Sequence, residues 1–259
     1  MSTASLAEAL PLAARVAQLS APARSCMLEL VPEEDVVASG VGAAASLASE
    51  LGLEVVGKVS DSELVKRGEP LLELRGCSRA LLLVEPAMRL MIAMACSIAT
   101  KVRRAKAKLA PSAVALPLQV PYRLYELECR AVEDGGGLGF RRDVALISAL
   151  HLKLSGGAKR AAERAQIARK LGLKVAVEAP TLRDIMEAAE LADIIVVKSM
   201  GLAEAAVEAV RELGLRTLVE LQVAALSEAE GCRRPPDIVS SLELLSAKPA
   251  PIASRIHLH

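Results

Sequence analysis

Apolar positions cluster most densely from Gly76 to Thr100 (GCSRALLLVEPAMRLMIAMACSIAT), where only Arg79, Glu85 and Arg89 carry charge. They fall all round a helical projection, which predicts a helix buried on most sides: the core of a domain or a subunit interface. A membrane span is a poor reading, because Glu85, Pro86 and Arg89 would lie in its middle. Pro86 suits a helix start or a kink better than a straight interior. Ahead of this stretch the pattern predicts an amphipathic helix over 4–19 and a short strand at Cys26–Val31. A helix capped by Asp35 and ended by Gly52 follows, then strands at Leu53–Ser60 and Pro70–Arg75 with a turn over 65–69. The long helix continues to about Leu109. Strands and helices mix here without strict alternation, an α+β pattern.

Beyond Pro111 the rhythm changes. Short apolar runs at 113–118, 144–148, 173–178, 193–197, 216–220 and 237–240 read as strands, and the segments 121–133, 157–171, 181–191 and 201–212 read as helices. That is the βα repeat of a parallel sheet covered on both faces, or of a barrel. Chemistry in such sheets collects at the carboxyl ends of the strands. Those positions are Leu118-Gln119, Ser148, Glu178, Lys198 and Glu220.

Composition narrows the function classes. With 32 basic and 31 acidic residues and a net charge of +1, no general nucleic-acid or membrane partner is expected. Two Tyr, one Phe and no Trp leave little for a base-stacking platform or an aromatic ligand cage. The five cysteines, at 26, 77, 96, 129 and 232, lack the close spacing of a zinc or redox motif, so no metal site is expected and they read as free thiols in a reducing compartment. The first nineteen residues are broken by Glu8, Pro11 and Arg15 and do not read as a signal peptide; a cytoplasmic protein is expected. A chain with no Asn, four Gln and many Glu, Arg and Lys points weakly to a heat-adapted source.

The order of several short motifs resembles the quinolinate phosphoribosyltransferases, or carboxylating nicotinate-nucleotide pyrophosphorylases. Val59-Ser-Asp-Ser-Glu-Leu-Val-Lys-Arg-Gly68-Glu69 is similar to the family turn "DG..V..G". Gly76…Arg79-Ala-Leu-Leu…Glu85…Ser97-Ile-Ala-Thr100 is similar to "G.AR.LL..ER..LN…SGIAT". Ala131-Val132-Glu-Asp-Gly135-Gly136-Gly137 matches "AV..GGG", and Asp143-Val-Ala-Leu-Ile147 with Gly156-Gly157 matches "DA.LIK" and the glycine pair after it. Val175–Glu178, Ala192–Met200 and Leu218–Glu220 match "VEVE", "ADIIMLDNM" and "LLE.SG". The resemblance runs from about Leu28 to the end. It implies an N-terminal α/β sandwich domain (1–110, with the tail 249–259 returning to it) and an open α/β, TIM-like barrel (111–248). It implies dimers in which one subunit's N-terminal domain covers the other's barrel mouth. The implied reaction joins quinolinate to phosphoribosyl pyrophosphate with Mg²⁺, giving nicotinate mononucleotide, CO₂ and pyrophosphate.

That chemistry requires clustered Arg, Lys and His donors for two carboxylates, a phosphate and a pyrophosphate. Position by position they are missing. Pro86 replaces the Arg of "ER" and Leu90 the Asn. The Arg and Lys of "TRKT" become Leu118 and Gln119. The "HR" after the glycines becomes Phe140-Arg141, its Arg falling on Arg141 or Arg142, and the Lys of "LIK" is Ser148. The family glutamates remain as Glu178 and Glu220, while the Asp of "LDN" is Lys198 and the "SG" after Glu220 is Gln222-Val223. Each charged hydrogen bond contributes ~1.5–3 kcal/mol; losing four removes about 6–12 kcal/mol, or roughly four to nine decades. Glu178, Lys198 and Glu220 end successive strands and are expected to form one ion-pair cluster. The candidate site is therefore Glu178 and Glu220 as family-equivalent acids, with Arg141, Arg142, Gln119, Ser148, Lys198 and His151 as substrate-binding candidates.

Beside these stand structural readings. Gly135–Gly137 reads as a helix-end turn rather than a phosphate cradle. Arg141-Arg142-Asp143 is an anion site or a solvated turn, His151 a structural histidine, and His257 and His259 part of a tail. Three functions follow: a non-catalytic paralogue; an active enzyme, either a weak quinolinate phosphoribosyltransferase needing Mg²⁺ or a relative in the molybdenum-transport-associated branch; or a ligand-binding module reusing the barrel mouth. The apolar helix 79–100 is expected to pair the chain with itself, as a homodimer or larger homo-oligomer, or with an active relative.

Overall fold

The computed structural model describes residues 20–258, which divide into two compact units. The expected helix over 4–19 lies outside the described residues, as does His259.

The first unit comprises residues up to Lys101, 133–136 and the segment from Ala247. Its four-stranded antiparallel sheet has the order β12-β1-β5-β3, built from β1 (Ser25–Pro32), β3 (Glu54–Lys58), β5 (Leu72–Cys77) and β12 (Ile252–Leu258). Two-residue strands β2 (Val36–Val37) and β4 (Leu64–Val65) pair beside it. Alternation along β1 sends Cys26, Leu28 and Leu30 into the core. Helices α1 (Val41–Glu50) and α2 (Ser78–Leu109) cover that face, burying Val41, Ala44 and Ala48 from one and Leu81, Val84, Met88 and Ile92 from the other. The C-terminal segment is not a tail. It is an edge strand in register with β1 from Cys26↔Leu258 to Pro32↔Ile252, and His257 Nε2 lies 3.2 Å from the Glu29 carboxylate.

Three expectations fail in this unit. Asp35 caps no helix; its carboxylate binds Lys66 Nζ (2.8 Å) and the Arg67 amide (3.0 Å). Helix α1 begins six residues later and is capped from a distance by Asp61, which accepts the Val41 and Gly42 amides at 2.9 and 3.2 Å. Pro86 sits inside α2 in an unbroken run of helix. Nor is α2 buried on most sides: it is long and apolar enough to cross a membrane, but 44% of its most apolar window is buried. Leu82, Pro86, Leu90 and Met94, four residues apart, form an exposed row. Cys96, opposite that row, is fully buried, and burial pushes its thiol up to about 12.

The second unit comprises 102–132 and 137–246. Six parallel strands, β6 (Ala113–Ala115), β7 (Val144–Ile147), β8 (Lys174–Glu178), β9 (Ile194–Val197), β10 (Leu218–Gln222) and β11 (Ile238–Ser240), take the order β6-β11-β10-β9-β8-β7. Helices α3 (Glu126–Asp134), α4 (Ala149–Ser155), α5 (Ala158–Lys170), α6 (Leu182–Ala188) and α7 (Met200–Glu212) connect them. The sheet curls. Val144 and Leu146 of one edge strand pack with Leu118, just after the other edge strand, around Ala176, Ile194 and Val196. The edge strands β6 and β7 are not neighbours in the sheet, so the barrel is open. Two strand-leading aspartates tie the amino ends together: Asp193 accepts the Val175 amide and Asp237 the Val219 amide, each at 2.8 Å. The strand expected at 216–220 begins two residues later, with Leu218 paired to Ile194, and the Thr217 hydroxyl just before it lies against the Ala189 and Ala192 carbonyls. Gly137 follows α3 as a turn where an added Cβ would lie 2.9 Å from the Val114 carbonyl, so close packing explains the glycine.

Candidate functional site at the open end of the barrel

Neighbouring residues in a parallel sheet point the same way. Val196, in the interior cluster, pairs in register with Glu178 on one side and Glu220 on the other. Both family-equivalent acids therefore point into the barrel; Glu178 ends β8 as expected, whereas Glu220 lies in the middle of β10, which runs on to Gln222. What they meet there differs from the expectation of one cluster.

Glu220 is 1% exposed and is gripped by Arg141, whose Nη1 and Nη2 donate to its two oxygens at 2.6 and 2.9 Å. Nη2 also donates to the Leu116 carbonyl at 2.9 Å. The loop before β7, the end of β6 and the middle of β10 are thus pinned by one guanidinium, itself about nine-tenths buried. Glu178 is bound instead by Lys198 at 2.5 Å and accepts the Ala149 amide at 3.3 Å. The predicted triad is two separate pairs, because Arg141 reaches Glu220 first; the sequence offers no sign of a partner 79 residues away.

The other candidates divide. Ser148 begins α4, and its amide donates to His151 Nδ1 at 3.1 Å with its hydroxyl 2.9 Å from the same nitrogen, so both residues serve the helix start. Arg142 leaves the site: its guanidinium lies 4.4 Å above the Tyr122 ring, which stacks on Phe140 at 4.9 Å. Two of the three aromatic residues thus do form a stack, capped by their own arginine. Gln119 is exposed and lines a cavity at the carboxyl ends of the strands. That cavity has two adjoining lobes, about 680 and 530 Å³, which share Pro117, Gln222, Leu242 and Ser246. Lys198, Glu228 and Glu243 line the first; Val120, Pro121, Leu124 and Tyr125 line the second. Gln222 was visible from sequence only as a strand-end replacement. Leu242 and Tyr125 carried no signal, since short loops bring them to the mouth.

Elsewhere in the unit, a cavity of about 640 Å³ opens at the amino ends of the strands. Its charged lining is structural in part: Lys174 bridges Asp143 at 2.8 Å and its hydrogen bond holds the Asp143 carboxyl below the usual range.

Residues 14–96 match the quinolinate phosphoribosyl transferase N-terminal domain. A probable carboxylating nicotinate-nucleotide pyrophosphorylase of Archaeoglobus fulgidus is 28% identical over 243 residues, covering 88% of this chain and 93% of that one. The chain is thus similar to quinolinate phosphoribosyltransferases, by the family model over its N-terminal part and by this relative over most of its length. A probable nicotinate-nucleotide pyrophosphorylase of Methanothermobacter thermautotrophicus is 29% identical over 180 residues, 66% of this chain and 64% of that one. Among solved structures, the nicotinate-nucleotide pyrophosphorylase of Francisella tularensis superposes with a TM-score of 0.82 at 21% identity, covering 98% of this chain and 93% of that one. At that identity the likeness carries the fold, which agrees with the antiparallel sheet and the curled parallel sheet described above.

Magnesium, the ion this family's reaction implies, does not fit the residues present. It takes oxygen ligands in near-octahedral geometry, commonly one or two carboxylates with water and phosphate. Here the two inward carboxylates are each bound by a cation. Among the described residues no group of three or more His, Cys, Asp or Glu is placed to hold a metal.

Proposed function

We propose that this quinolinate phosphoribosyltransferase-family protein is a non-catalytic paralogue, its scaffold retained and its phosphoribosyl transfer lost. The observation that carries the reading is the internal use of its inward cations. Arg141 is spent on Glu220 and Lys198 on Glu178. Among the described residues, Lys198 is the one cation lining the mouth cavity, against Glu228 and Glu243, and the rest of that lining is uncharged. Reactants bearing several negative charges would meet no unpaired cation there among the described residues and would be repelled. The exposed row Leu82–Pro86–Leu90–Met94 supports an assembled protein, pairing through α2 with a copy of itself or with an active relative in the same compartment.

The second reading, an active enzyme making nicotinate mononucleotide, draws on the two inward glutamates and on the names of the archaeal relatives. Thermal-shift titration separates the two, since a ligand that binds the folded state must stabilise it. Neither quinolinate nor phosphoribosyl pyrophosphate, with Mg²⁺ present, is expected to raise the melting temperature. A saturable rise with either would overturn the non-catalytic reading.

A further inference from the structure

We infer that the barrel mouth binds an uncharged small molecule with an apolar body and an amide-like hydrogen-bonding edge. This rests on the non-catalytic reading of the same site and goes past it: the pocket has been retuned rather than merely emptied. Its lobes, about 680 and 530 Å³, are each of a size that holds small ligands. Among the described residues, each charged side chain lining them already has a hydrogen-bonding or ionic partner. Lys198 pairs with Glu178 at 2.5 Å, Glu228 accepts the Ala225 amide at 2.7 Å, and Glu243 accepts the Leu226 amide at 2.7 Å. The polar side chains that the pocket leaves without a partner are neutral. The side-chain amides of Gln119 and Gln222 make no hydrogen bond among the described residues, and they are two of only four glutamines in a chain without asparagine. A glutamine amide presents one donor and one acceptor side by side, which matches a carboxamide or lactam edge and discriminates poorly in favour of a carboxylate. Pro117, Val120, Tyr125 and Leu242 supply the apolar walls. Gln222 lines both lobes and stands at the end of β10, a rigid element, so it is the anchoring residue.

The probes are benzamide, benzoate of the same shape with one negative charge, and phosphoribosyl pyrophosphate with Mg²⁺, titrated against the whole chain by ligand-observed NMR. Benzamide is expected to bind in the millimolar range open to so small a ligand, and benzoate about tenfold more weakly. Gln222→Leu, close in volume, is expected to remove that preference, while Gln166→Leu, on the distant helix α5, leaves it intact. No benzamide binding, equal binding of benzoate, or an unchanged preference in Q222L would overturn this inference alone. Binding of phosphoribosyl pyrophosphate would overturn the non-catalytic reading with it. If Q222L melts early, Q222E serves: it keeps the length, and its charge must weaken benzoate further than benzamide.

Discussion

The Arg141–Glu220 fork decides most at the scale of single residues. Both groups are buried, so the pair's own contribution is small once desolvation is offset, yet removing one partner strands a charge in the barrel. Glu220→Leu should cost about 3–5 kcal/mol in urea unfolding, and Arg141→Met a similar amount, whereas the double variant should fall near the parent. A double variant as unstable as the sum of the singles would show that the fork is not one coupled unit. Asp143 makes the opposite case, exposed and paired to Lys174. Lys174's hydrogen bond lowers the folded-state pKa of Asp143 below its unfolded value. The stabilisation is therefore present above about pH 4 and lost as pH falls through the folded value. Asp143→Asn should be less stable than the parent by under ~1 kcal/mol at neutral pH, since more than half of each side chain is in water, and the two should converge as pH falls below the folded value. A gap that persisted in acid would place the effect elsewhere.

Elements were legible in proportion to how locally they are determined. The parallel strands were readable because runs such as Ile194–Val197 and Val175–Val177 are buried, β-branched and short, whichever partners they find. Helix α4 escaped notice: seven residues are too few for a period, and its start is fixed by the Ser148–His151 contact. Helix α1 was misplaced because its cap, Asp61, comes from another part of the chain and leaves Asp35 to bind Lys66. The C-terminal strand β12 was invisible to periodicity, being exposed over most of its length and formed only by pairing with β1. For α2 the apolar pattern was read correctly and its burial was not; a row exposed in one chain at Leu82, Leu90 (53%) and Met94 is what an association face looks like. Leu90→Glu with Met94→Glu should therefore lower the mass found by native mass spectrometry while leaving the thermal midpoint of the lighter species nearly unchanged. Unaltered mass would take α2 out of the assembly.

At the scale of the whole molecule, fold and chemistry rest on different fractions of the sequence. A TM-score of 0.82 at 21% identity shows how little of the chain the architecture requires: apolar periodicity, a few turn glycines, aspartates at strand starts. The family's reaction requires a handful of charges, and those could be compared only residue by residue through the resemblance, which gave the expected replacements and not the pairings of Arg141 and Lys198. If the scaffold is intact and only its charges have changed, reversing one exchange must change the ion preference of the mouth. Lys198→Asp is the sharpest case. It removes the cation from Glu178, which is only 13% exposed, and sets a second carboxylate at the end of β9 beside it. Like charges so close destabilise the folded state, and two carboxylates form a partial site for a hard divalent cation. Without metal, K198D should melt below the parent; millimolar Mg²⁺ should recover much of that loss, and should leave the parent's midpoint where it was. Lys198→Met removes the same cation without adding an acid, so it should lose stability and gain nothing from Mg²⁺. Equal responses of K198D and K198M to Mg²⁺ would mean that the strand ends no longer hold their acids in the arrangement that their register implies.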